Sequence, residues 1–283
     1  MPSSSPQTDF VPVVGGRLRA ESAGRGSALV LLHAGIADLT MWDDDVPAFA
    51  AAHGVIRYDA RGFGRSESQA VPFSNRDDLR RVLDHYRIDR AHILGISRGG
   101  HIAIDFCLEA PGRVRSLILV ASGLGGFAFD PPPPDDPESR LFQEMEGTYE
   151  RKDFERLADL EVQAFVDGPR QPPDRVPSAV RERVRRMSLA HLTRLDEGVK
   201  PQPLDPPAAG RLAEIDAPTL ILVGDLDTSG TLAAADVLAR GIRGARKVAL
   251  PGVAHMVNLE RPAEFQRIVL DFLADQDGRL PEP

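Results

Sequence analysis

The sequence predicts an α/β fold, in which a mostly parallel open sheet carries helices on both faces and a helical cap is inserted. Short, almost wholly apolar runs recur along the 283 residues, as expected for strands that are covered on both faces. Helical patterns alternate with these runs, which is typical of a parallel sheet with right-handed crossovers. The alternation stops once, between about residues 127 and 210, and this break predicts the cap.

Each strong strand is a run of apolar residues bounded by turn residues. Two weaker segments, Phe10–Val14 and Arg17–Glu21, flank Gly15-Gly16 and predict an N-terminal hairpin. The strong strands are Ala28–Leu32, Gly54–Tyr58, Ala91–Gly95, Val114–Val120, Thr219–Val223 and Ala245–Leu250. The helices predicted between and after them are Asn75–Tyr86, Arg98–Glu109, Thr231–Gly241 and Pro262–Asp275.

The predicted cap is bounded by proline-rich chain at both ends. Asp130 is followed by four prolines, and a second proline-rich stretch runs from Pro201 to Pro207. About 80 residues lie between the flanking strands, which is too long for a single crossover. We therefore assign 1–126 and 211–283 to the core and 127–210 to a cap insertion. Helical patterns within it cover Glu138–Arg151, Phe154–Phe165 and Val176–Leu195.

Composition excludes several classes of protein. The net charge of −8 disfavours a nucleic-acid partner, which a basic face would attract; we expect the arginines at 181, 183, 185 and 186 to form a solvated helix face. The single cysteine, Cys107, excludes an intrachain disulfide. Neither a signal peptide nor an apolar run of about 20 residues is visible, so the expectation is a cytoplasmic protein without a membrane partner.

The sharpest motif is Gly95-Ile96-Ser97-Arg98-Gly99, followed by Gly100. It links a predicted strand to a predicted helix, which is the setting that the G-x-S-x-G nucleophile turn requires. The turn is tight, so the positions two before and two after the serine have no room for a side chain. Ser97 would stand exposed at a helix N-terminus, where partial positive charge favours a developing oxyanion.

A serine nucleophile needs a base and a carboxylate that orients the base. Of the seven histidines, His255 alone lies in a loop between the last strand and the final helix, at the sheet edge where such sites gather. Two carboxylates follow the penultimate strand, and we favour Asp227 because the loop must leave the strand first; Asp225 remains an alternative. The order Ser97, Asp227, His255 is the one expected for this fold.

The predicted oxyanion hole combines two backbone N–H groups. One comes from the turn Leu31–Ile36 after the first strong strand, where we choose Gly35, and the other from Arg98. The basic, glycine-containing segment Asp59–Ser66 lacks the Lys-Ser/Thr ending of a phosphate loop. It is predicted to be a structural turn beside the site.

These segments together resemble the α/β-hydrolase superfamily over nearly the full chain. The matching segments are Leu32–Gly35, Tyr58–Ser66, Gly95–Gly100, Gly224–Asp227 and Gly252–His255. The resemblance implies a Ser–Asp–His triad, a cap over the site and no cofactor. The chain departs from many relatives at Ala34, where they have glycine, and in Asp227-Thr228-Ser229-Gly230, where they often place proline.

Serine in the nucleophile turn separates this chain from the branches of the superfamily that carry aspartate at that position. Those branches open epoxides or displace halide. Serine at that position points to acyl chemistry on a small molecule, without a metal. We expect a serine hydrolase for an ester or lactone; the alternatives are a carbon–carbon bond hydrolase, a cofactor-free perhydrolase, or a ligand-binding signalling protein on the same fold. Candidate pocket residues, each equally compatible with core packing, are Trp42, Phe142, Met145, Phe165, Met187 and Met256.

Overall fold

The central sheet of the computed structural model, which describes residues 6–173, 175–194 and 200–278, has the strand order β1-β2-β4-β3-β6-β7-β8-β9. From β4 onwards in that order the pairing is parallel. The strands are β1 (Gln7–Val13), β2 (Gly16–Ala23), β3 (Ala28–Leu32), β4 (Gly54–Tyr58), β5 (Glu67–Ser68), β6 (Ala91–Ile96), β7 (Val114–Val120), β8 (Thr219–Gly224) and β9 (Arg246–Leu250).

The antiparallel part of the sheet lies at its N-terminal edge. The predicted hairpin is present as β1 and β2, which pair antiparallel. Strand β2 also pairs antiparallel with β4 and with the two-residue strand β5. Strand β5 is too short to produce a periodic pattern, so the sequence did not predict it.

Helices cover the sheet on both faces and bury two apolar layers. Leu79, Phe106 and Leu238 belong to one layer, whereas Phe49 and Phe265 belong to the other. No described helix is both long enough and apolar enough to cross a membrane. The α-helices are α1 (Val46–Phe49), α2 (Asn75–His85), α3 (Arg98–Glu109), α4 (Pro137–Glu150), α5 (Phe154–Val162), α6 (Ser178–Leu192), α7 (Ser229–Gly241), α8 (Val257–Glu260) and α9 (Pro262–Asp277).

The chain between β7 and β8 contains α4, α5 and α6, which share a small apolar cluster around Met145, Leu157 and Leu192. The sequence predicted one α-helix over Phe154–Phe165. In the structure α5 ends at Val162 and a π-helical turn, Gln163–Asp167, follows it. A single π-turn is too short to show a period of its own, so the apolar pattern does not reveal it.

The arginines of α6 form the predicted solvated face only in part, because Arg186 is exposed whereas Arg181, Arg183 and Arg185 form ion pairs. Arg181 pairs with Asp167, which is buried, at 3.1 Å. Arg183 pairs with Asp44 and donates a hydrogen bond to the Thr40 carbonyl at 2.6 Å. The Arg183 contacts fasten α6 to the core of the molecule.

Candidate active site

Ser97 lies at the sharp junction between β6 and α3. Its φ is +54° and its ψ is −114°, a conformation that is unfavourable for a residue with a side chain. Gly95 makes the turn possible, because a Cβ at that position would overlap the backbone of Gly99 and Gly100. The Ser97 carbonyl accepts hydrogen bonds from the N–H groups of His101 and Gly123, at 3.1 Å each. These contacts hold the strained residue in place.

The loops after β8 and β9 meet because Gly224 lacks a side chain. A Cβ on Gly224 would overlap the carbonyls of Val253 and Ala254. The close approach allows the N–H of Leu226 to donate to the Val253 carbonyl at 2.9 Å. This backbone contact fixes the register between the carboxylate loop and the histidine loop.

Asp227 and His255 form a buried pair across these two loops. Nδ1 of His255 lies 2.9 Å from Oδ1 and 3.0 Å from Oδ2 of Asp227. Oδ1 of Asp227 also accepts the N–H of Thr228 at 2.7 Å. Asp225, the alternative carboxylate, is exposed and instead accepts the N–H of Gly252 at 2.7 Å. An imidazole held in this way keeps Nε2 available for a proton from a neighbouring group.

The turn after β3 is held by His33. Nε2 of His33 accepts the N–H of Ala60 at 3.0 Å, and Nδ1 lies 2.7 Å from the Ala34 carbonyl. Burial, aided by the charge of Arg98, lowers the pKa of His33 to about 4, so the ring is neutral and Nδ1 donates. A Cβ built on Gly35 would lie 3.7 Å from Cβ of Arg98. The two residues chosen as oxyanion donors are therefore neighbours.

The candidate pocket residues fall into two groups. Trp42 and Met256 are fully buried in a core layer, and the Trp42 ring stacks on Phe265 at 6.4 Å. Met145 is buried in the small cluster of the insertion. These three residues line none of the cavities described here and serve as packing residues, since apolar character alone does not separate a pocket wall from a core.

Phe142 and Met187 each line a cavity, whereas Phe165 is half-buried and packs between other rings. The Phe165 ring is 5.1 Å from the His255 ring and 6.1 Å from that of Phe142. Met187 lines a cavity of about 330 Å³ beside Thr40 and His191.

A larger cavity, of about 700 Å³, separates the start of the insertion from the core. Its walls include Phe142, Ser122 and Gly123, and the N–H of Gly123 is the group that donates to the Ser97 carbonyl. Phe127 and Phe129 also line it, and sequence reasoning missed them. The available signal was the aromatic pair directly before the proline run 131–134. This cavity is therefore an apolar space bordering the nucleophile turn.

The sequence family described as alpha/beta hydrolase fold matches residues 27–262. The chain belongs to this family. The predicted fold class and the resemblance on which it partly rested are thereby confirmed, and this α/β-hydrolase is an enzyme of the hydrolase class.

Several relatives are similar over nearly the whole hydrolase. The 2-hydroxy-6-oxononadienedioate/2-hydroxy-6-oxononatrienedioate hydrolase of Escherichia coli (strain K12) is 32% identical over 271 residues, covering 91% of each chain. Its counterpart from Cupriavidus pinatubonensis is 31% identical and covers 92% of this chain and 91% of its own. The structure of Est816, described as an N-acyl homoserine lactone degrading enzyme, is 26% identical with a TM-score of 0.74, covering 93% of this chain and all of the other.

Proposed function

We propose that this hydrolase cleaves a small-molecule ester or lactone through an acyl-enzyme on Ser97. The observation that supports the proposal is the buried Asp227–His255 pair, 2.9 Å apart, at the same sheet edge as a serine with φ of +54°. A strained serine, an imidazole and a carboxylate that fixes the imidazole tautomer are the parts that acyl transfer requires.

In the proposed reaction, Nε2 of His255 takes the proton of the Ser97 hydroxyl as the oxygen attacks the acyl carbon. The resulting oxyanion accepts hydrogen bonds from the N–H groups of Gly35 and Arg98. His255 then protonates the leaving alkoxide, and the acyl-enzyme forms. Water, deprotonated by the same imidazole, attacks the acyl carbon and releases the acid and Ser97. Asp227 remains ionised throughout and stabilises the imidazolium.

Residues 127–210 act in this proposal as a cap, and the 700 Å³ cavity is the route by which substrate reaches the serine. Phe127, Phe129 and Phe142 give this route an apolar wall. Such a wall suits an alkyl or aryl group of the substrate better than a charged group. The cavity volume is within the range that small-molecule sites use.

Carbon–carbon bond hydrolysis is the second candidate, because the two relatives that are 31–32% identical carry names for it. The same three residues are suited to it, since attack on a ketone carbonyl also forms an oxyanion. The lactone-degrading neighbour at 26% identity favours the ester or lactone proposal instead.

The deciding experiment measures wild type and Ser97→Ala side by side on p-nitrophenyl esters from acetate to octanoate, an N-acyl homoserine lactone and a 2-hydroxy-6-oxodienoate. Loss of a triad serine is expected to lower turnover by about 10⁴-fold or more. Ester or lactone turnover that disappears in Ser97→Ala supports the first proposal. Turnover of the dienoate alone favours carbon–carbon cleavage, and undiminished activity in the variant overturns the assignment of Ser97.

A further inference from the structure

A further cavity, of about 550 Å³, is lined by Arg98 and by none of the residues that line the 700 Å³ cavity. Its walls come from the loop after β4, the end of α6 and the side chain of Arg98. Arg98 directly follows Ser97, and a Cβ built on Gly35 would lie 3.7 Å from Cβ and 3.8 Å from Cδ of Arg98. The cavity therefore begins beside the two N–H groups proposed to bind the oxyanion.

Cationic side chains dominate this cavity. Arg61, Arg98, Arg194 and Lys200 line it, against one carboxylate, that of Glu67. One of these cations already has a carboxylate partner. Arg61 pairs with both oxygens of Asp78, at 2.7 and 2.8 Å.

Glu67 does not offset the remaining cations, because it is itself engaged. Both of its oxygens accept hydrogen bonds from Arg17, at 2.7 and 2.8 Å. His191 also lines the cavity. Burial, together with the charges of Arg98 and Arg194, lowers the pKa of His191. Its ring is therefore mainly neutral at neutral pH and does not offset the charge of the arginines.

The Arg98 guanidinium has no carboxylate in direct contact among the described residues, although the charge of Asp78 acts on it from further away. It donates to Oδ1 of Asn75 at 3.1 Å and lies 4.7 Å from the centre of the Phe63 ring. Burial lowers the pKa of this guanidinium, which reflects the cost of holding a charge out of water. A largely buried cation with no carboxylate in contact, next to the proposed nucleophile, is a group that an anionic part of a ligand would stabilise.

The walls around these cations are rigid enough to hold them for a ligand. The Phe63 ring stacks on the His191 ring, with 3.8 Å between the centroids, and the Arg98 guanidinium also lies over the Phe63 ring. Nδ1 of His191 lies 3.1 Å from the Gly62 carbonyl. Arg194 donates to the Gly64 and Ser66 carbonyls, so the end of α6 is fastened to the loop after β4.

From this geometry we infer that the 550 Å³ cavity binds a carboxylate group of the substrate, through the side chains of Arg98 and Arg194. This inference rests on the proposed function: the scissile acyl carbon sits at Ser97, an apolar portion occupies the 700 Å³ cavity and the carboxylate points towards Arg98. The preferred substrates are then half-esters of short dicarboxylic acids, or related acyl compounds that end in a carboxylate. A guanidinium binds a carboxylate through two parallel hydrogen bonds, which also fixes its orientation.

The first experiment compares kcat/KM for p-nitrophenyl hemiglutarate and its neutral counterpart, p-nitrophenyl pentanoate, in wild type and Arg98→Met. Methionine keeps the backbone N–H and most of the stem but removes the charge. The ratio of anionic to neutral kcat/KM is expected to fall about 10- to 100-fold, the usual effect of losing a hydrogen bond to a charged group. Arg243→Met, which removes an exposed arginine paired with Asp216, is the matched control and should leave the ratio unchanged.

A second measurement separates this inference from the proposed function. Calorimetric binding of monomethyl glutarate to Ser97→Ala requires no turnover, and it should weaken by the same factor when Arg98→Met is added. Arg194→Met should weaken it less, about 3- to 10-fold, since Arg194 is more exposed to solvent. If wild type hydrolyses no ester yet Ser97→Ala binds the half-ester through Arg98, the proposed function is wrong but the carboxylate site is supported. The carboxylate site is overturned if Arg98→Met slows the anionic and the neutral ester equally, so that the ratio of their kcat/KM values is unchanged. It is also overturned if neither Arg98→Met nor Arg194→Met weakens binding of the half-ester.

Discussion

The Phe165 ring lies 5.1 Å from the His255 ring, with an angle of 50° between the two planes. A residue from the chain between β7 and β8 thus packs directly against the proposed general base. Phe142 is one step further out, 6.1 Å from Phe165 and not in ring contact with His255. The chain between β7 and β8 therefore contacts the imidazole as well as lining a cavity.

Phe165→Ala is expected to lower kcat/KM for a p-nitrophenyl ester by about 2- to 10-fold, the effect of losing one ring–ring contact. Phe142→Ala, the matched control, removes the aromatic ring next to Phe165, which lines the 700 Å³ cavity and has no ring contact with His255. It should change KM more than kcat. If Phe142→Ala lowers kcat as much as Phe165→Ala does, contact with the imidazole is not the cause.

Asp227→Asn should reduce kcat by about 10³- to 10⁴-fold, because an amide N–H facing Nδ1 favours the wrong imidazole tautomer. Asp225→Asn is the control, since Asp225 is exposed and contacts the N–H of Gly252 instead of His255. A surface change of this kind should alter kcat by no more than about twofold. Steady-state kinetics on one ester decide between the two carboxylates. The reverse ranking would make Asp225 the orienting residue.

Gly95→Ala should destabilise the fold by at least about 2 kcal/mol, since the added methyl group overlaps backbone that cannot move freely. Gly112→Ala is the comparison, because an added Cβ there meets nothing within 4 Å. That variant should stay within about 1 kcal/mol of wild type. Urea unfolding followed by circular dichroism measures both. Equal free energies of unfolding for the two variants would show that the nucleophile turn tolerates a side chain at position 95.

Titration of Asp45 should lower the free energy of unfolding as the pH rises from the pKa of this carboxyl in the unfolded state to its pKa in the folded state. Burial raises the pKa of this carboxyl to about 6, although its oxygens accept hydrogen bonds from Asn258 and Gln266. The folded state therefore binds the proton more tightly than the unfolded state, in which the pKa is about 3.9. The contribution of Asp45 is fully favourable below pH 4 and is lost as the pH rises towards 6.

Asp45→Asn removes this titration. The free energy of unfolding of the variant, relative to wild type, should rise by about 1–3 kcal/mol between pH 4 and pH 7.5. Urea titrations at several pH values measure the difference directly. Burial also raises the pKa of Asp59 to about 6, so the variant keeps a slope of the same sign from that group. A difference that stays constant with pH would contradict the raised pKa of Asp45.

Much of the sheet and the candidate site follows from short-range rules. Strands covered on both faces are apolar throughout, and the nucleophile turn needs glycine at positions 95 and 99, so both leave a signal in the sequence. Pairing of His255 with Asp227 instead of Asp225 depends on the backbone contact between Leu226 and Val253. Loop length suggested that choice, but only tertiary structure supplies the contact.

The direction in which individual side chains point was the main feature that could not be predicted from the sequence. Arg98 was chosen for its backbone N–H, yet its guanidinium reaches a separate cavity beside Arg194, a residue almost one hundred positions away in sequence. Trp42 was a reasonable pocket candidate, but it packs on Phe265. Which apolar residues face open space is decided by packing between distant elements, and local periodicity carries no record of it.

The left-handed backbone of Ser97 has a consequence for the evolution of this protein. At a φ of +54° glycine is the least strained residue, and any other residue is destabilised by roughly 1–3 kcal/mol. A population selected for heat resistance alone would accordingly drift towards glycine at the position whose hydroxyl is the proposed nucleophile. Laboratory evolution of hardier variants must hold residue 97 fixed or screen for turnover in every round.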